Sequence, residues 1–284
     1  MIKNREKNKS WNLYPVNLRT KTLVIIFTAL IIIIAILLSS LFIPNQLSTN
    51  FASINQAPSL QHLFGTDWVG RDMFSRTIKG LSLSVIVGTF AAIVSTIMAI
   101  VLGLLSSVSK FKDEGVAGII DLFNSIPHIL LIILISICCG GGFYGVIMGV
   151  GLTHWSPLAR VLRAEVKKIK TTDYIKLSEE LGKSKWFIAT KHILVLVIPQ
   201  IIVGVILMFP HAIMHEAAIS FLGFGLPPHE PAIGIILSES MKYLASGDWW
   251  LAFFPGLSLL FIVLLFDLIG EYVKKLLDPS SAQE

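Results

Sequence analysis

Long uncharged apolar stretches dominate this chain, and its polar residues gather in the gaps between them. Residues 23–43 form the first such run, about 20 residues and therefore long enough to cross a bilayer's hydrocarbon core as one helix. A signal peptide would have a shorter apolar core and a small-residue cleavage site, so a retained span is expected. The second run, 83–108, is rich in Gly88, Ala91, Ala92, Ser95, Ala99 and Gly103, small residues that let transmembrane helices approach closely. A third covers 116–139 and contains Asp121, Asn124, Pro127 and His128; Gly140 to Gly142 then turn the chain into a fourth, 143–162. Pro199 and Pro210 interrupt the fifth, 192–214, and imply kinks that neighbouring helices must satisfy. Trp249 and Trp250 mark a membrane boundary ahead of the sixth, 251–271. The pattern predicts an all-α membrane protein with six transmembrane helices, in which 1–22 and 280–284 are tails and 23–279 is the transmembrane domain.

The longest polar interruption after the N-terminal third, residues 160–199, carries nine of the chain's 23 Lys and Arg residues. With residues 1–21, the loop 110–114 and Lys274 and Lys275, this side of the predicted spans holds 19 basic residues. The other side has four, Arg71, Arg76, Lys79 and Lys242. Basic loops stay cytoplasmic, so both termini and the 160–199 loop are expected inside. Within that loop Thr171, Thr172 and Asp173 offer N-caps, Tyr174, Leu177, Ser178 and Leu181 recur at helical spacing, and Gly182 supplies a stop. Ser184 can cap a second helix, in which Trp186, Phe187, Ile188 and Ile193 lead directly into the fifth span. A short helix attached in this way, between spans four and five, is expected to be a cytoplasmic docking element; the blander reading is an amphipathic helix resting on lipid headgroups.

The segment 44–82 is expected outside. Gly65 and Gly70 allow turns there, and Asp67, Arg71, Asp72 and Arg76 alternate in sign, so local ion pairs can hold a compact structure at the membrane surface. Residues 216–250 interrupt an apolar sequence with glycines and prolines. They are too irregular to span alone and are expected to re-enter or lie along the interface.

Composition narrows the function classes. At 54% hydrophobic and 14% charged over 284 residues, the chain is too apolar for a soluble domain of its size. Its net charge of +5 flanks apolar runs, which argues against a nucleic-acid partner. Cys138 and Cys139 are adjacent and make neither a disulfide framework nor a CxxC site. Asp121, Asp267 and Glu216 are costly in hydrocarbon and should face protein or water, with ion pairing to Arg160 or Arg163 expected for the two aspartates. His211 and His215 lie four apart near Met208 and Met214, and His128 and His154 can face the same region. Such groups can contact a passing transition metal, although packing and hydrogen bonding is the commoner role of lone histidines on apolar helices. They are candidates for a translocation path, with no metal-ligand set assigned. Ser, His and Asp residues fall in separate spans without a nucleophile elbow or HExxH, so a non-catalytic chain is expected and an intramembrane hydrolase is a weak alternative. A secondary carrier working alone would be expected to repeat its hydropathy pattern in two halves, and no such repeat occurs.

Three blocks resemble the permease subunits of ABC importers for dipeptides, oligopeptides and nickel. GTDWVGRDMFSR at 65–76 is similar to that family's GTDxxGRDxxSR pattern, through Gly65, Thr66, Asp67, Gly70, Arg71, Asp72, Ser75 and Arg76. DYIKLSEELGKSKWFIATKHI at 173–193 resembles its cytoplasmic loop, with Gly182 at the loop glycine. Lys176, Leu177 and Ser178 stand where the general pattern has Glu-Ala-Ala, and Val195 where a proline is common. SFLGFGLPPHEPAIGIILSE at 220–239 and WWLAFFPGLSLL at 249–260 resemble the last outer segment and final span. The resemblance implies a multi-pass permease of the cell membrane that pairs with a second homologous permease and receives cargo from an extracellular substrate-binding protein. It also implies docking onto two cytoplasmic ABC ATPase subunits through Tyr174, Ile175, Leu177, Ser178, Leu181 and Gly182. ATP and Mg would be used by those partners, this chain binding no cofactor; it has no GxxxxGK[ST]. Peptide and nickel, free or chelated, both stand open as cargo.

Overall fold

The computed structural model describes residues 18–44 and 47–277; most of the N-terminal tail and all of the C-terminal tail lie outside them. Among the described residues the regular structure is helical, with one isolated bridge between Thr66 and Asp72. Helix α1 (Leu18–Leu41) is followed by a short 3₁₀ turn at Phe51–Ser53 and then by α2 (Met73–Val108), 36 residues long. Helix α2 starts ten residues before the expected second span because Asp72 caps it, its side chain accepting from the Ser75 N–H at 2.8 Å.

The third expected span is not one helix. Helices α3 (Lys110–Ser125) and α4 (His128–Cys138) meet at a 98° bend. Ile126 between them is extended, with ψ 137°, the conformation that the following Pro127 imposes. The fourth is broken as well, into α5 (Gly142–Gly151) and α6 (Trp155–Lys170). Both α4 and α5 are short, about 15 Å at 1.5 Å per residue, and they form a hairpin turning at residues 139–141. Among the described residues, four helices are long and apolar enough to cross a membrane, or five if the bent pair counts as one.

The chain continues through α7 (Asp173–Glu180), α8 (Lys185–Phe187), wide π turns over Ile188–Ile193, α9 (Leu194–Leu196) and α10 (Ile198–Phe221). Then come α11 (Ile233–Ser240), a 3₁₀ turn at Met241–Ser246 and α12 (Trp250–Leu277). Helices α2 and α10 form the centre, each supplying residues to all three buried apolar clusters. The small residues of α2 permit this: a Cβ on Gly88 would lie 2.7 Å from Ile213 of α10, and one on Gly103 would lie 3.0 Å from Leu162 of α6. Large apolar side chains on the outer faces, among them Phe27, Ile97, Phe261 and Leu264, remain exposed; a hydrocarbon surround suits them as water does not.

Candidate functional site

Three features carry the residues singled out from the sequence. The first is a clasp at the end of the molecule where α2 begins. Asp67 has no exposed surface. Its Oδ1 accepts from the backbone N–H groups of Val69 at 3.0 Å and Arg71 at 2.9 Å, and its Oδ2 from Arg71 Nε at 2.7 Å and Arg76 Nη1 at 3.2 Å. Four donors, two of them charged, offset the cost of burying this carboxylate. Arg76 reaches on to Glu239 of α11. Its guanidinium lies 4.9 Å over the Trp68 ring, which stacks on Tyr243 at 5.0 Å. Asp72, besides capping α2, meets His62 Nδ1 at 2.9 Å, and buried Thr66 accepts from the Gln56 N–H at 2.8 Å. Phe64 stacks on Phe254 of α12 at 4.6 Å. Gly70 has φ +76°, and a Cβ there would lie 1.8 Å from the Asn50 carbonyl oxygen, so only glycine fits. The charged groups of the motif are turned on one another, tying the first turn of α2 to α11 and α12. Glu239 was not foreseen in this role; it stands 163 residues from Arg76, and no local pattern couples them.

The second feature lies at the opposite end. On α7 and its C-cap, Tyr174, Leu177 and Leu181 are 53, 56 and 70% exposed, giving an outward apolar face at helical spacing. Ile175 and Ser178, expected with them at a partner contact, are instead buried. Ile175 joins the cluster of Val166, Ile169, Ile188 and Ile193, because the helix needs one face to seat on the body. Gly182 ends the helix at φ +76°: its N–H donates to the Glu179 carbonyl at 2.9 Å and that of Lys183 to Ser178 at 3.2 Å, the paired bonds of a Schellman stop. The Ser184 side chain caps the next helix by accepting from the Phe187 N–H at 3.2 Å. The Tyr174 hydroxyl bonds His192 Nδ1 within the π turns, so α7 is strapped to the segment that runs into α10.

The third is a cavity of about 720 Å³ among α6, α10 and the end of α12, lined by residues including Leu158, Gln200, Met208, Lys274 and four histidines. His211 and His215, the translocation-path candidates, both line it, and the fold brings His128 and His154 to the same wall. The nitrogens of His128, His154 and His215 lie within 4.8 Å of one another.

Of the acidic residues expected in apolar surroundings, Asp121 lies 3.9 Å from Arg160 and is largely exposed. Arg163 pairs instead with Asp113, which also meets Lys167 at 3.0 Å. Asp267 is half-buried on α12 with no ion pair among the described residues, contrary to the expected pairing. Glu216 is fully buried on α10, where its Oε1 accepts from Ser220 Oγ at 2.9 Å.

Residues 95–281 match the family described as binding-protein-dependent transport system inner membrane component. The chain is 31% identical over 271 residues to the oligopeptide transport system permease protein OppC of Bacillus subtilis, covering 92% of this chain and 88% of the relative. It is 32% identical over 229 residues to the dipeptide transport system permease protein DppC of the same organism, covering 79% and 71%. It is also 33% identical over 256 residues to DppC of Alkalihalophilus pseudofirmus, covering 88% and 84%. A solved structure described as inward facing conformations of the MetNI methionine ABC transporter superposes with a TM-score of 0.60 at 17% identity, over 72% of this chain and 98% of that one. The shared fold is the all-helical ABC permease fold.

Proposed function

The chain belongs to the binding-protein-dependent transport system inner membrane component family, and on that premise we propose that it is the membrane-embedded, non-catalytic permease subunit of an importer for peptides or for nickel, free or chelated. It is a multi-pass protein of the cell membrane. In this reading both termini and α7 face the cytoplasm, and the clasp faces outward. A second homologous permease completes the passage, an extracellular binding protein delivers cargo, and two cytoplasmic ATPases supply the energy through ATP and Mg.

The observation that carries the reading is the outward apolar face of Tyr174, Leu177 and Leu181 on a short helix whose other face, Ile175, is seated on the body. Apolar side chains presented to water beside basic residues call for a protein cover. Motion of an ATPase against α7 would pass through the Tyr174–His192 contact and the π turns into α10, and so to one wall of the cavity. The test is reconstitution of the chain with its partner permease, ATPases and binding protein in proteoliposomes. ATP-dependent uptake of cargo is expected, and Leu177→Asp with Leu181→Asp should cut it at least tenfold while leaving the permease monodisperse. Undiminished uptake by that variant would refute docking through α7.

A further inference from the structure

Three histidines far apart in sequence converge on one point of the cavity wall. His128 is the first residue of α4, just past the α3–α4 bend; His154 sits in the break between α5 and α6; His215 lies on α10. Their ring centroids are 4.6, 4.8 and 4.9 Å apart. The Nε2 atoms of His128 and His154 are separated by 3.4 Å. Two imidazole nitrogens bound tetrahedrally to one ion at 2.0–2.1 Å stand about 3.3 Å apart, so this pair already has the separation a shared ion requires. His215, with a nitrogen within 4.8 Å of both, closes the remaining gap by a side-chain rotation of about 1 to 2 Å.

The orientation of His154 gives a second, independent observation. Its Nδ1 lies 2.9 Å from the Val150 carbonyl oxygen. A carbonyl only accepts, so Nδ1 carries the hydrogen and the Nε2 lone pair is left free on the side that faces His128 Nε2. A backbone carbonyl holding the far side of a histidine is the usual support of a metal-ligating imidazole. The packing alternative, a single N–H···N bond between His128 and His154, accounts for that pair but not for the third ring.

We propose that His128, His154 and His215 form a coordination site for a divalent first-row transition-metal ion carried as cargo. The ion would enter as a complex whose own donors fill the positions the three imidazoles leave open. Imidazole suits nickel, cobalt, copper and zinc; calcium and magnesium call for oxygen donors, and among the described residues no carboxylate lines the cavity. The missing negative charge is what a chelator or peptide with amine and carboxylate groups supplies, and about 720 Å³ accommodates one. His211, one turn from His215, and the thioether of Met208 line the same cavity and offer the next donors along it. The role as cargo rests on the importer reading above; the binding itself does not.

The test uses the full chain in lipid nanodiscs, purified without a histidine tag and with Cys138→Ser and Cys139→Ser, since both thiols are exposed and free. Cobalt(II) is titrated as the probe. One equivalent per chain, with visible ligand-field bands displaced by zinc, is expected. His128→Ala, His154→Ala and His215→Ala should each weaken binding at least tenfold and together abolish it. His128 is not buried, so its variant keeps the test valid if His154→Ala fails to fold. Absence of saturable binding, or bands unchanged in the triple variant, overturns the site. If binding is absent while the reconstituted assembly still takes up peptide, the site falls and the importer reading stands. Histidine-dependent binding without any ATP-driven uptake leaves the site standing and removes the importer.

Discussion

Asn in place of Asp67 is a nearly isosteric change that isolates the charge at the centre of the clasp. Oδ1 can still accept from the Val69 and Arg71 N–H groups, but an NH₂ group replaces the oxygen that receives both guanidinium groups. The Arg71 side chain, 26% exposed, can turn to water; that of Arg76, 4% exposed, cannot. Breaking a buried charge pair by removing one partner costs about 3–5 kcal/mol. Glu239 still holds one side of Arg76, which places the cost near the lower end, about 3 kcal/mol. For a chain of 284 residues that corresponds to a fall of about 5 °C in apparent Tm, measured as monodisperse protein remaining after heating in detergent. Adding Arg76→Met should recover part of the loss, since no unpaired guanidinium then remains and Glu239, 27% exposed, can rehydrate. A shift under about 2 °C for Asp67→Asn, or strictly additive losses in the double variant, would refute the view of Asp67 as the clasp's electrostatic centre.

Two further outcomes are expected. Gly182→Val meets no atom within 4 Å but must hold φ +76°, a strain of about 1–2 kcal/mol. The fold should persist while co-purification with the ATPases falls, and unchanged co-purification would count against docking at α7. With the native cysteines replaced, Leu60→Cys, at a position 98% exposed, should react with an impermeant maleimide in intact cells, and Leu177→Cys only after permeabilisation. The opposite pattern would invert the proposed topology.

Hydropathy made the long helices α1, α2, α10 and α12 legible, because each is an apolar run bounded by charges or aromatic anchors. It concealed the breaks. Ile126 and Pro127 sit in an apolar context, and a window average does not register that one proline forces its predecessor out of helical conformation. The break at residues 152–154 is bridged in the same way by apolar neighbours. On α7 the stop at Gly182 followed from chemistry local to the chain, whereas the inward turn of Ile175 depends on Val166, Ile188 and Ile193, which lie in other elements. The clasp was half readable: Asp67, Arg71 and Arg76 share one segment, but Glu239 and Tyr243 reach them only through the fold. Two of the four histidines lay on one helix face and stood out; His128 and His154 join them because α3–α4 bends and α5–α6 breaks where they do.

At 1.5 Å per residue, the 36 residues of α2 make a rod about 54 Å long, against a hydrocarbon slab of about 30 Å. Gly88, seated on Ile213, lies near its midpoint and makes a natural fulcrum. A tilt of about ten degrees there would swing a tip about 25 Å away by about 4 Å, in opposite directions above and below the bilayer. On the importer reading, the two faces of the membrane would be geared to each other through a single unbroken beam.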